Sequence, residues 1–250
     1  MKLSVVIITK DEAHIIKNTL QSLQGLTDDI VIIDSGSTDN TVAICKEMNA
    51  VVIETTWGGY GANKNKGIKT TKYDWVLSLD ADETIDEELK TELLKLDPGM
   101  ENNVYKLNYK NFFCNKWIRY GVWGGDKHIR FFNKTKVQWN DAEVHENLIF
   151  PDNTNVISLK GNVLHYTVNS IADYSNKTLV YAKANAQKYF ARGKKATFVK
   201  LYLAPPFNFL QHYIFRLGFL DGWEGYLICK TNAWYTFMKY VFLRELNKGK

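Results

Sequence analysis

Residues 3–9 read LSVVIIT, an unbroken apolar run rich in β-branched side chains. Such a run predicts a strand covered on both faces. The period then changes. In DEAHIIKNTLQSLQG (11–25), Ile15, Ile16, Leu20 and Leu23 recur at helical spacing, with Gly25 as the stop. DIVIID (29–34) predicts a second strand ending in a polar turn, and TVAICKEMN (41–49) a second helix with Asp39 or Asn40 as its N-cap. AVVIET (50–55) reads as a third strand, and GANKNKGIKTT (61–71) as a short helix behind a glycine-rich loop. DWVLSLD (74–80) follows as a fourth strand and DEELKTELLKL (86–96) as a fourth helix, stopped at Asp97-Pro98-Gly99. Strand–helix alternation of this kind predicts an α/β fold around a doubly wound, mostly parallel sheet. Such sheets bind ligands at the carboxyl ends of their strands. The polar clusters after Ile33 and Leu79 fall there.

Beyond residue 100 the pattern changes. NVYKLNYKNFF (103–113), KHIRFFNK (127–134) and VLHYT (163–167) read as strands of a meander separated by Gly, Asn and Asp turns. From about Ser170 the chain reads as helical: one long helix, a break at Pro205-Pro206, then aromatic helices to the end. The expected division is a domain over 1–168, with halves 1–100 and 101–168, and a helical C-terminal region over 169–250.

Composition adds little until it is resolved along the chain. The 250 residues are 45% hydrophobic and 24% charged, ordinary for a folded globular protein. Cys45, Cys114 and Cys229 are odd in number and far apart, without a CxxC pair, which argues against a disulfide framework or structural zinc and fits a reducing cytoplasm. The apolar start is followed at once by Lys10, Asp11 and Glu12, so a first strand is expected there rather than a signal peptide. The net charge of +5 conceals an asymmetry. Residues 1–170 carry 19 Lys/Arg against 23 Asp/Glu, whereas residues 171–250 carry 13 against 4, with 18 of the 34 aromatic residues. A basic, aromatic tail suggests an anionic surface as partner. Its longest charge-free run, 201–215, falls short of a bilayer span, which suits an interfacial helix on anionic lipid. Packing on the catalytic domain or a homodimer contact is the alternative. No recognition motif accompanies the charge, so nucleic acid is not expected.

Three polar stretches carry candidate chemistry. In VLSLDADE (76–83), apolar residues run into Asp80, Asp82 and Glu83. Like charges so close raise one another's pKa unless a cation is present. Carboxylates at i and i+2 after a strand can ligate a divalent cation beside phosphates; a solvated acidic turn is the plainer reading, with Asp82 or, more readily, Glu83 capping the next helix. In DSGSTDNT (34–41), Asp34 either organises a βα loop or accepts hydrogen bonds from a nucleotide base or ribose. In WGGYGANKNKG (57–67), Gly58, Gly59 and Gly61 allow close backbone approach and Lys64 starts a helix, where anions are favoured. Neither a Walker A nor a GxGxxG fingerprint is present.

Taken in order, VVIITKDE, VIIDSGSTDNT, GANKNKG and WVLSLDADE resemble a family 2, GT-A-fold, inverting glycosyltransferase. That resemblance implies a Rossmann-like, mostly parallel sheet, a nucleotide-sugar donor, usually a UDP-sugar, and Mg²⁺ or Mn²⁺. By position, Thr9, Asp11 and Glu12 would line the nucleotide pocket with Gly36 and Ala81. Asp34 would contact uracil or ribose, and Lys64 would lie near the nucleotide where many relatives have Arg. Asp80 would contact ribose or metal, and Asp82 would hold the metal. WNDAEVHENL, NVLHYT and FLQHYIFRLGFLDGWEGY are similar to bacterial lipopolysaccharide-core β-1,4-glucosyltransferases. This implies a glycolipid or saccharide acceptor at the cytoplasmic face of the membrane.

An inverting transfer needs a base for the acceptor hydroxyl and an electrophile for the departing diphosphate. The base is expected to be Glu146, with Asp141 second; Glu143 would face away from Glu146 on a strand. His165 is a candidate third metal ligand or diphosphate contact, and His145 could orient the base, although a lone histidine on an apolar strand is more often structural. Arg130 either meets an acidic group of donor or acceptor or is a salt-bridged strand residue. Trp117, Trp123 and Trp139 either line a sugar cleft or belong to the core. Two rivals are a nucleotidyltransferase, which lacks its phosphate-grasping signature here, and a non-catalytic membrane-associated nucleotide-sugar-binding protein.

Overall fold

The computed structural model describes residues 2–97, 99–140, 147–168 and 170–249. The chain forms two compact units, Met1–Tyr109 with Lys127–His165, and Lys110–Asp126 with Tyr166–Lys250. The excursion 110–126, expected within the acceptor half, thus groups with the C-terminal helices.

The first unit holds β1 (Ser4–Thr9), α1 (Ile16–Ser22), β2 (Ile30–Asp34), α2 (Thr41–Glu47), β3 (Val51–Glu54), α3 (Tyr60–Thr70), β4 (Trp75–Asp80), β5 (Glu83–Ile85) and α4 (Glu87–Lys95). β6 (Asn103–Phe113) begins in it, and β7 (Lys116–Ile118) pairs with the far end of β6. β8 (Lys127–Asn133), β9 (Gln138–Trp139), β10 (Leu148–Ile149) and β11 (Asn155–Val168) follow. Among the described residues the main sheet runs β3-β2-β1-β4-β8-β6-β11-β5. It is parallel from β3 to β4 and antiparallel at the β4–β8, β8–β6 and β11–β5 pairs. The expected meander is not what forms: β6 lies between β8 and β11, so these strands do not neighbour one another in chain order.

Alternation along β1 divides the core. Val5 and Ile7 face α1 and α4 with Leu20, Leu77, Leu89 and Phe131; Val6 and Ile8 face the other side with Ile33, Ile68, Phe132 and Trp139. Helix α3 reaches this second face because Gly67 lacks a side chain: a Cβ there would lie 2.4 Å from Val6 Cγ1. Helix α1 is shorter than the apolar pattern predicts. Residues 11–14 are drawn away from helical geometry, with Asp11 at φ 54°. Its backbone N–H donates to Ser37 Oγ, and that of Glu12 to Thr41 Oγ1.

The three-residue β5 was not expected. It pairs antiparallel with β11, and Asp86 follows it as the true cap of α4, accepting from Leu89 N at 2.9 Å and from Asn162 N at 2.9 Å. Glu83, expected as that cap, is instead buried in the sheet.

The second unit is helical around α5 (Ile171–Ala191), α6 (Ala204–Leu210) and α7 (Gly222–Asn247), with α5 and α6 both packed on α7. Pro205 and Pro206 do not break a helix. They sit in the first turn of α6, where no intrahelical donor is needed, after a π-helical turn at Val199–Leu203. No helix of the described residues is long and apolar enough to cross a membrane.

Candidate active site

Parallel pairing aligns the polar ends of three strands. Thr9 of β1 stands opposite Asp34 of β2, and Ile8 opposite Asp80 of β4. The loops after β1 and β2 are stitched together: Asp11 Oδ1 accepts from Thr38 N at 2.7 Å, and Asp39 Oδ2 from Ala13 N at 3.1 Å. Asp34 is buried and folds its own loop. Its Oδ2 accepts from Gly36 N at 2.9 Å and Ser37 N at 2.8 Å, and its Oδ1 from the Ser37 hydroxyl. Gly36, at φ 83°, makes that turn possible. Asn63 of α3 donates to Ser35 Oγ at 2.9 Å, which ties the glycine-rich loop to the same edge. The buried Thr9 Oγ1 has no hydrogen-bond partner among the described residues.

The crowded carboxylates after β4 are neutralised from within the protein. Lys64 of α3 is only 1% exposed, and its Nζ lies 3.1 Å from Asp80 Oδ1 and 4.7 Å from the centre of the Trp139 ring. From β8, Arg130 reaches Asp80 Oδ2 at 3.3 Å and Glu83 Oε1 at 3.7 Å. Its Nε donates to Tyr109 Oη at 3.0 Å, and Tyr109 in turn donates to Glu83 Oε2 at 3.3 Å. The same Glu83 oxygen accepts from Asp80 N at 3.0 Å. Burial alone would raise the Asp80 carboxyl, but Lys64 and Arg130 outweigh it and hold it below the usual carboxylate range. Glu83 goes the other way: burial, then the charge of Asp80, push it up against the pull of Arg130.

Asp82 lies outside this knot. His165, opposite Glu83 in the β11–β5 register, places Nε2 3.3 Å from Asp82 Oδ2. Burial would lower the imidazole, yet its hydrogen bond to Asp82 and the surrounding carboxylates raise it to about 9.

The family model described as Glycosyl transferase family 2 matches residues 4–147. The chain belongs to this family. An uncharacterized glycosyltransferase of Rickettsia typhi is 28% identical over 256 residues, covering 98% of this chain and 88% of the relative. The lipopolysaccharide core biosynthesis glycosyltransferase LpsC of Rhizobium meliloti is 26% identical over 250 residues, covering 95% and 90%. Among solved structures, S. aureus TarS 1-349 in complex with UDP superposes with a TM-score of 0.50 at 17% identity, over 100% of this chain and 92% of that one. At that identity the likeness speaks for the fold, which is GT-A. The protein is a glycosyltransferase.

In this family 2 glycosyltransferase, the expected nucleotide-site residues Thr9, Asp11, Glu12, Asp34, Gly36, Lys64 and Asp80 gather at the carboxyl edge of β1, β2 and β4. Ala81 is buried, and its carbonyl accepts from Thr19 of α1 at 2.6 Å. Glu146, Asp141, Glu143 and His145 lie outside the described residues. Trp139 is core, stacked edge-on to Phe132. Trp123 packs on Phe113 and Tyr174, and Trp117 carries the guanidinium of Arg119 at 4.3 Å. Arg130 is the salt-bridged strand residue of the two readings. Tyr109 was not anticipated, although alternation in β6 puts Tyr105, Leu107 and Tyr109 on one buried face.

Among the described residues no three His, Cys, Asp or Glu side chains form a metal-binding group. A Mg²⁺-like ion needs only one or two carboxylates when donor phosphates and water complete its shell. Asp82, a quarter exposed and outside the Lys64–Arg130 knot, fits that donor set. His165 fits only after giving up the proton that its pairing with Asp82 favours.

Proposed function

We propose that the protein transfers a sugar, with inversion, from a UDP-sugar to a hydroxyl of a saccharide or glycolipid in lipopolysaccharide or surface-polysaccharide assembly. The observation that carries this reading is the convergence of the Asp34 loop, Lys64, Asp80 and Asp82 on one edge of a family 2 sheet. The similarity to LpsC supports the acceptor class, and the UDP complex of TarS supports the choice of donor to test first.

In this reading, Asp34 shapes the turn that receives the base and ribose, while Thr9 Oγ1 offers an unused hydroxyl beside it. Lys64 and Arg130 hold Asp80 ionised, so its carboxylate is ready for the ribose or a cation. Asp82, with His165 as auxiliary ligand, would hold Mg²⁺ or Mn²⁺, which when bound offsets the diphosphate charge. Glu146, or Asp141, takes the acceptor proton. The acceptor oxygen then bonds to the anomeric carbon as the bond from that carbon to the phosphate oxygen breaks, and UDP carries away the electron pair. The enzyme works at the cytoplasmic face of a membrane, held peripherally on anionic lipid by its basic tail.

UDP release from a panel of UDP-sugars, with Mg²⁺, Mn²⁺ or chelator, tests the reading. Asp82→Ala should lose metal-dependent nucleotide binding, whereas Glu146→Ala should keep binding and lose transfer. Protein that neither binds nor turns over any nucleotide sugar with either ion would sink the proposal. Donor hydrolysis without acceptor would separate an enzyme from a catalytically silent binder.

A further inference from the structure

The second unit exposes a long apolar ridge. Val199, Leu203, Phe207, Leu210 and Ile214 are between 44% and 62% exposed, and they recur at steps of four, four, three and four residues. This is one helical face. It continues through the π-helical turn at Gln211–Phe215 to Phe215, which is 76% exposed. The opposite face is satisfied by α7: Asn208 accepts from Asn232 at 2.8 Å, and Phe209 and Tyr213 pack on Tyr226. The outward stripe is therefore not a packing remnant. The helix has a polar and aromatic seat, and presents its most apolar side to the surroundings.

Charge decides what fits there. Between residues 192 and 223 the chain carries Arg192, Lys194, Lys195, Lys200 and Arg216 against one acid, Asp221. That acid is 4% exposed and is spent on Arg119 N at 3.0 Å and Tyr120 N at 2.8 Å. Within this stretch, the charge that reaches solvent is cationic. A second copy of the ridge would bring like charges together, and no helix of the described residues is long and apolar enough to span a membrane. An apolar stripe flanked by Lys and Arg matches an anionic lipid surface, with aromatic and aliphatic side chains in the acyl boundary and cations among the headgroups.

We propose that the face of Val199–Phe215 is the membrane-docking surface, lying in the plane of an anionic bilayer. This deepens the membrane part of the proposed function and rests on it only there, because lipid binding requires no sugar transfer.

The test is co-sedimentation of the full chain with vesicles of phosphatidylcholine alone and of phosphatidylcholine mixed with phosphatidylglycerol. The wild type should pellet with the anionic vesicles, less so at high salt, and stay in solution with the neutral ones. Phe207→Ser combined with Leu210→Ser should weaken that binding by roughly tenfold or more, with an unchanged melting temperature and unchanged UDP release. Absence of vesicle binding by the wild type would overturn the proposal, as would undiminished binding by the double variant. A wild-type dimer that the double variant dissociates, seen by sedimentation velocity, would overturn it in favour of a subunit interface. Loss of UDP release in the wild type with vesicle binding intact would refute the catalytic reading alone.

Discussion

Removing the guanidinium that serves two carboxylates is the sharpest probe of the site. In Arg130→Met, Asp80 keeps Lys64 at 3.1 Å and remains partly solvated, but Glu83, 1% exposed, loses its cation. Tyr109 also loses the Nε–H that it accepts. Breaking a buried pair from one side costs about 3–5 kcal/mol. The partial compensation by Lys64 puts the expected loss near the low end, about 3 kcal/mol at neutral pH. The loss should depend on pH in one direction. A carboxyl whose folded pKa is raised contributes stability below its unfolded value, here 4.5, and loses it as pH rises through the folded value. Without Arg130, Glu83 is raised further, so the deficit against wild type should shrink on acidification toward the ordinary glutamate range. Asp80 does not confuse that window, because its pKa is lowered and its contribution fades only below 3.8. Urea melts of both proteins at neutral and mildly acidic pH, with m-values compared, measure this. Adding Glu83→Gln to Arg130→Met should restore part of the loss at neutral pH. A single-variant cost under about 1 kcal/mol, or a deficit independent of pH, would refute the account.

Gly67→Ala should cost about 1–3 kcal/mol, because its methyl would meet Val6 Cγ1 at 2.4 Å and Ile33 Cγ1 at 3.0 Å. Thermal melts would show it, and an unchanged melting temperature would contradict the close seat of α3. His165, raised from 6.5 to about 9, lends metal-free protein stability that is full below pH 6.5 and lost as pH climbs through 9. His165→Gln should remove that slope, worth about 3 kcal/mol, and wild-type denaturant melts flat between those pH values would exclude the Asp82 pairing.

Much of the parallel half was legible because its signals are local. Ser4–Thr9 and Ile30–Asp34 are apolar on both faces, and Gly59 and Gly67 punctuate α3. The part that escaped is where three residues carry the structure. Glu83–Ile85 is too short to show a period, so Glu83 looked like a cap beside Asp86, a better one. The late start of α1 follows from bonds between residues 11–13 and residues 37–41, which no helical pattern contains. Pro205-Pro206 reads as a break in any sequence, yet a helix that begins there needs no proline N–H.

Local chemistry along the chain therefore determined the strand–helix alternation, the acidic and glycine-rich turns, and the basic, aromatic tail. Only the tertiary structure decided what answers the charges of VLSLDADE. Lys64, Tyr109, Arg130 and His165 come from α3, β6, β8 and β11, separated from Asp80 by up to 85 residues of chain. Electrostatic compensation in a buried site depends on distances of 3–4 Å across the sheet, and sequence spacing holds no record of them. Among the described residues the compensation is internal: two cations hold Asp80 and a third faces Asp82, so side chains of the chain itself answer the carboxylates.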